Sequence, residues 1–208
     1  MKEYHKINTL YKRGEKGKII ESEFSCPEFE FLFMNNWIFT EKVDGTNIRI
    51  LWDGSELRYG GKTDNAQIPV FLYDYLNKLF KGQESQFQAK FGSIPVCLYG
   101  EGYGNKIQAS GKDYNPSGVG FVLFDVFVSP SFWLERVNIE KFSKSFSLRT
   151  VPIVGEGSLQ KMVDMCQKGF KSQWGNFNAE GIVARPEIEL FNHKGERIIV
   201  KLKTRDFN

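Results

Sequence analysis

Cysteine is scarce in this chain: 208 residues hold three, at Cys26, Cys97 and Cys166, odd in number and widely spaced. Such usage argues against a disulfide framework, and their apolar neighbours predict reduced core thiols. No apolar run approaches the roughly 20 residues of a membrane-spanning helix, and the first ten residues lack the apolar core of a secretory signal. A cytoplasmic protein without a membrane partner is therefore expected. Repeats, low-complexity tracts and evident linkers are also missing. Charge of one sign is not in excess: 28 basic against 25 acidic residues leave a formal net charge of +3. That permits a polyanionic partner without requiring one, although basic residues do cluster at 12–18 and 201–205.

What remains is ordinary globular material, 41% hydrophobic and 25% charged, long enough for one sizeable core. A single domain over residues 1–208 is expected. Strand candidates dominate. Ile48, Ile50 and Trp52 alternate with Asn47, Arg49 and Leu51, as in a strand whose two faces differ. Residues 96–99, 120–128, 181–184 and 197–202 are rich in β-branched and aromatic side chains and read as further strands. Two helices are predicted. One opens at Pro69, aligns Leu72, Leu76, Leu79 and Phe80 on one face and stops at Gly82; the other is capped by Ser158 and aligns Leu159, Met162, Val163 and Cys166 before Gly169.

The most informative segment is Glu41-Lys42-Val43-Asp44-Gly45-Thr46-Asn47, a lysine two residues before an Asp-Gly turn and between apolar stretches. A lysine amine is almost fully protonated near neutrality, at its ordinary pKa of about 10.4. It becomes a nucleophile where a low-dielectric pocket or a neighbouring cation destabilises the ammonium. Asp-Gly by itself favours an ordinary hairpin with an exposed lysine, because such turns are common.

Four more constellations put a charged or aromatic residue beside an apolar strand. In Tyr99-Gly100-Glu101-Gly102-Tyr103-Gly104 a strand delivers Glu101 into what reads as a glycine-rich turn; the alternative is a solvated loop glutamate. Phe124-Asp125 sits inside a strongly apolar stretch, where a ring can serve a purine base or the core. Glu180-Gly181-Ile182-Val183 again sets an acid before glycine and a strand, as a metal carboxylate or, the better reading of the segment taken alone, a plain turn. In Lys201-Leu202-Lys203 the two-residue period aims both lysines to one side, as in a phosphate site or a protected sheet edge.

The order Lys-x-Asp-Gly, Gly-Glu-Gly, Phe-Asp, Glu-Gly-Ile-Val, Lys-Leu-Lys resembles the collinear motifs of the covalent nucleotidyltransferases: ATP-dependent DNA ligases, RNA ligases and mRNA-capping guanylyltransferases. Spread from Glu41 to Lys203, the five motifs cover most of the chain. Asn47 after Lys-Val-Asp-Gly-Thr, the opening Lys6-Ile7-Asn8-Thr9-Leu10-Tyr11-Lys12-Arg13 and the segment Gly60-Gly61-Lys62-Thr63-Asp64-Asn65-Ala66-Gln67-Ile68-Pro69 look like the ATP-dependent RNA ligases of phage and bacterial type. The resemblance implies an α+β nucleotidyltransferase domain, an ATP-grasp-like ligase adenylation fold in which mainly antiparallel sheets flank a nucleotide groove with a few helices. It implies an enzyme of RNA repair, acting in the cytoplasm, or the host cytoplasm if phage-encoded.

By the same resemblance Lys42 is the catalytic nucleophile that takes AMP from ATP. The AMP then passes to an RNA 5′-phosphate, and a 3′-hydroxyl seals the joint. Glu101 matches the glutamate near the ribose, Phe124 the ring on adenine, and Lys201 and Lys203 the pair on the α-phosphate. Glu41, Asn47, Lys62 and Glu180 complete the expected nucleotide-binding set. Asp44, Glu101 and Glu180 are the expected shell of Mg²⁺ or Mn²⁺, holding it through water. Lys62 departs from the family's usual arginine and so lacks its bidentate fork. Transfers of this kind rely on positioning and charge neutralisation, so neither His5 nor His193 is expected to catalyse. Only residues 204–208 follow the last motif, and no accessory domain is expected within the chain. The alternatives are a compact DNA ligase, a GTP-using capping guanylyltransferase, or a non-catalytic relative that binds nucleotide or RNA.

Overall fold

Ile48, Ile50 and Trp52 lie at every second position of the strand Thr46–Trp52 and are essentially without solvent exposure. The pleat turns all three to one face, where burial of each side chain is worth about 1.5–3 kcal/mol. The structure is a computed structural model that describes residues 2–207. Its chain divides into two compact units. One holds the segment up to Tyr4 together with Asp44–Val151; the other holds His5–Val43 and the segment from Pro152 onward. The chain therefore passes from one to the other immediately after Val43, between Lys42 and Asp44.

The first unit is built on a sheet ordered Arg149–Thr150, Val119–Val128, Val96–Gly104, Thr46–Trp52 and Leu57–Gly60, with Phe132–Trp133 added to Val119–Val128. All its pairings are antiparallel except that of Arg149–Thr150. The helix Val70–Phe80 follows Pro69, as the sequence predicts, and buries Leu72, Leu76 and Phe80 in the cluster formed by Ile48, Ile50, Trp52, Leu98 and Phe121. A smaller cluster gathers Cys97, Tyr99 and Phe127 with Tyr4, Phe124 and Trp133.

The second unit carries a five-stranded sheet ordered Asn8–Thr9, Val200–Lys203, Gly181–Pro186, Trp37–Glu41 and Ile153–Gly157. The Asn8–Thr9 pairing is parallel and the other three are antiparallel. The helix Leu159–Lys168 is capped as predicted, Ser158 Oγ accepting a hydrogen bond from the Lys161 amide. Its Leu159, Met162, Val163 and Cys166 pack against Trp37, Phe39, Ile182 and Leu202. The expected α+β class with mainly antiparallel sheets is what forms. Among the described residues no helix is long and apolar enough to cross a membrane.

Two expectations are corrected. Glu101 does not sit in a turn: Val96–Gly104 is one continuous strand, paired on both sides. Its glycines serve close packing, since a Cβ on Gly100 would come within 2.2 Å of the Phe121 ring and one on Gly102 within 2.6 Å of Leu72. The last strand is also shorter than residues 197–202 suggest; it runs Val200–Lys203, and Arg197 forms only an isolated bridge to Phe191. The three cysteines are free, Cys97 and Cys166 buried and Cys26 half-buried. Burial pushes the Cys97 thiol up to about 11 and that of Cys166 to about 12, so neither is a ready thiolate.

Candidate active site

Lys42 follows directly on the strand Trp37–Glu41, and its amide donates to the Gly181 carbonyl at 2.9 Å. That bond sets the start of the lysine side chain beside Glu180. The ammonium Nζ lies 2.6 Å from Glu180 Oε2, and Lys203 Nζ lies 2.7 Å from Glu180 Oε1. One carboxylate thus binds two lysines whose motifs stand 161 positions apart by their numbers, 203 less 42. All three side chains are 10–20% exposed, so solvent screens them little.

Strand pairing explains how they meet. Gly181 lies opposite Lys203, Val183 opposite Lys201, and Ile182 opposite Glu41. A Cβ at Gly181 would fall 2.1 Å from the Leu202 carbonyl oxygen, so only glycine lets the strands come this close. Thr204 finishes the corner: its Oγ1 donates to the carbonyls of Ala179 and Glu180, and its amide to that of Glu180. Along Val200–Lys203 the lysines are half-buried while Val200 and Leu202 are fully buried, the alternation the sequence predicts.

Glu41 is 1% exposed. Its carboxylate accepts from Ser172 Oγ at 2.5 Å and from the Gln173 amide at 2.8 Å. Burial pushes its carboxyl above the ordinary carboxylate range, against the pull of those two hydrogen bonds.

In the first unit Gly45 passes close to the strand Val96–Gly104; a Cβ there would meet the Gly102 carbonyl at 2.2 Å and Glu101 Cγ at 2.8 Å. Asp44 accepts a hydrogen bond from Ser110 Oγ. Asn47 pairs with Glu101 across the two strands. Its Oδ1 is shut off from solvent and accepts no hydrogen bond from the described residues, an arrangement that costs free energy unless a ligand donates to it. Phe124 falls at a β-bulge, where the register of Val96–Gly104 against Val119–Val128 slips between Tyr99 and Gly100. Its ring meets that of Tyr4 edge-on at 5.2 Å, and Tyr4 donates its hydroxyl to the fully buried Asp125 at 2.7 Å.

Lys62 is exposed in the loop after Leu57–Gly60. Arg49, fully buried, fastens that loop: its Nε donates to the Gly61 carbonyl at 2.6 Å and its Nη2 to Asp64 at 2.9 Å. The Arg49 hydrogen bond and its charge hold the Asp64 carboxyl below its usual range.

Within the second unit the structure therefore assembles Lys42, Glu180 and Lys203, and it sets Lys201 two residues along the same strand. Within the first it pairs Asn47 with Glu101 and ties Asp44 to Ser110. Among the described residues, no three acids, histidines or cysteines are grouped so as to hold a metal ion directly. Arg49, Ser110, Ser172 and Tyr4 escaped the reading of the sequence. Arg49 alone leaves a signal there, a charged residue between Ile48 and Ile50 in an otherwise apolar strand.

A family model for RNA ligase matches residues 35–203. Among solved structures, Naegleria gruberi RNA ligase with PPi superposes at a TM-score of 0.66 and 17% identity, over 98% of this chain and 62% of that one. A mutant of the same ligase with ATP and Mn gives 0.66 and 17%, over 94% and 55%. An archaeal ATP-dependent RNA ligase gives 0.65 and 16%, over 100% and 49%. The chain thus spans about half to three-fifths of the length of these ligases and shares their fold.

Proposed function

The chain belongs to the RNA ligase family, and on that premise we propose that it is an ATP-dependent RNA ligase working through a lysine-bound AMP. The contact of Lys42 with Glu180, shared with Lys203, carries the reading. A nucleophilic amine must give up a proton, and phosphate charge must be met by cations; this cluster supplies a base and a second ammonium beside the first.

In the first step Lys42 Nζ loses its proton and attacks the α-phosphorus of ATP. Glu180 Oε2, 2.6 Å away, takes that proton in this reading. A P–N bond forms, the bond to the β-phosphate oxygen breaks, and pyrophosphate leaves. In the second step a 5′-phosphate oxygen of RNA attacks the same phosphorus; the P–N bond breaks and the lysine is restored. A 3′-hydroxyl then attacks the activated 5′-phosphorus, and AMP departs as the phosphodiester closes.

Lys201 and Lys203 neutralise the α-phosphate, and Glu101 and the buried Asn47 Oδ1 accept hydrogen bonds from the nucleotide. Phe124 stacks on adenine, and Lys62 meets a phosphate or ribose as a point charge. Asp44, Glu101 and Glu180 are hard oxygen donors, the ligand chemistry that Mg²⁺ or Mn²⁺ takes, directly or through water. Such an ion would supply charge neutralisation at the phosphates. Residues 1–208 serve as one adenylyltransferase domain, acting in the cytoplasm on RNA with 5′-phosphate and 3′-hydroxyl ends.

Offering labelled ATP or GTP, then 5′-phosphorylated RNA, nicked duplexes or DNA, tests this reading. ATP-dependent joining of RNA ends is the expected result. Exclusive use of GTP, or joining of DNA alone, would replace it with a capping enzyme or a DNA ligase.

A further inference from the structure

We propose that the loop at residues 170–178 is a docking element for single-stranded RNA, tied by Glu41 to the strand that ends immediately before Lys42. The proposal rests on the RNA ligase reading above. The loop folds on itself: the Ala179 amide donates to the Phe170 carbonyl and the Ser172 amide to that of Phe177, both at 2.9 Å, while Lys171 bridges Asn178. From Gly169 to Ala179 there is no aspartate or glutamate, in a chain with 25 of them. Its tip presents Lys171, Gln173 and Asn176 to solvent, with the rings of Trp174 and Phe177 half-buried between them.

That composition suits an unpaired strand. Rings stack on bases, side-chain amides reach base edges and 2′-hydroxyls, a lysine meets phosphate, and the loop's own residues include no carboxylate to repel it. The attachment gives the loop its use. Both oxygens of Glu41 are taken by the loop, one by Ser172 Oγ and one by the Gln173 amide, and Ser172 Oγ in turn accepts from the Trp174 amide at 3.1 Å. Glu41 directly precedes Lys42, and the loop's far end runs through Ala179 into Glu180, the partner of Lys42. A strand docked on the loop is therefore held close to Glu41, which precedes Lys42, and to Glu180, which pairs with it. Glu41 is in this account a positioning residue.

The test separates RNA from nucleotide. Lys171→Glu and Asn176→Asp alter exposed tip residues alone, and each is compared with the unaltered chain in two assays. The first is binding of a fluorescent 5′-phosphorylated single-stranded RNA without ATP; the second is labelling of the protein by ATP without RNA. RNA binding should weaken by roughly fivefold to tenfold or more in each variant, and labelling should stay within about twofold. Ser172→Ala, which removes the hydroxyl donor to Glu41, should weaken RNA binding to a smaller degree. Unchanged RNA affinity in both tip variants would overturn the proposal while leaving the ligase reading intact. An equal loss for fully paired RNA would overturn the single-strand assignment. Absence of labelling in the unaltered chain, with RNA binding still dependent on the loop, would overturn the ligase reading and not the docking element.

Discussion

Lys42 Nζ lies 2.6 Å from Glu180 Oε2, and the other oxygen of the same carboxylate is 2.7 Å from Lys203 Nζ. Glu180→Ala leaves two largely buried ammoniums facing each other without their shared anion. Hydrogen bonds to charged groups are worth about 1.5–3 kcal/mol, so labelling of the protein by ATP should fall about tenfold to a hundredfold. Labelling at the unaltered rate would show that the carboxylate has no part in the reaction.

Asn47 separates stability from function. Its Oδ1 is buried without a hydrogen bond from the described residues, which costs about 1–3 kcal/mol in the free protein. Asn47→Ala removes that cost, so the melting temperature should hold or rise while labelling by ATP weakens. A lower melting temperature with full labelling would assign Asn47 to the fold alone.

Gly181→Ala inserts a methyl group 2.1 Å from the Leu202 carbonyl oxygen and 2.7 Å from Lys203 Cα. The two strands must part, at a cost of about 1–3 kcal/mol, and the melting temperature should drop by roughly 2–12 °C. Because Glu180 is its neighbour, labelling should fall too. An unchanged melting temperature would refute the close approach.

Glu41 makes a prediction about pH. Burial raises its carboxyl above the ordinary 4.5, so the folded chain holds this proton more tightly than the unfolded chain does. The resulting contribution to stability is complete below 4.5 and is lost as pH rises through the raised folded value. Glu41→Gln is neutral throughout. Any advantage of the unaltered chain over this variant in melting temperature should therefore shrink as pH rises above 4.5. A constant gap would contradict the shift.

Much of the fold was legible because local rules and packing agree. Ser158 caps its helix, Pro69 precedes the other, and the two-residue alternation of Ile48, Ile50 and Trp52 marks a buried face. The motif order also picked out Lys42, Glu180 and Lys203, which the strands do bring together. Glycine misled at Glu101, because a glycine that relieves crowding against Phe121 or Leu72 looks in sequence like one that makes a turn. The bond between Ser172 and Glu41 joins residues 131 positions apart, and the link of Tyr4 to Asp125 spans 121. Contacts between such distant polar residues leave no periodicity to read. Arg49 was hidden for a related reason: its partners, Gly61 and Asp64, lie on the next loop, and nothing in Asn47-Ile48-Arg49-Ile50 says which way the guanidinium is used.

The central claim is that Lys42 carries AMP, and the most direct measurement is incubation with α-labelled ATP and Mg²⁺ followed by denaturing separation of the protein. Label should remain covalently attached to the unaltered chain, should be released by acid as expected of a P–N bond, and should be absent from Lys42→Ala. An unaltered chain that takes up no label, or a Lys42→Ala variant that is labelled as fully, would contradict the account.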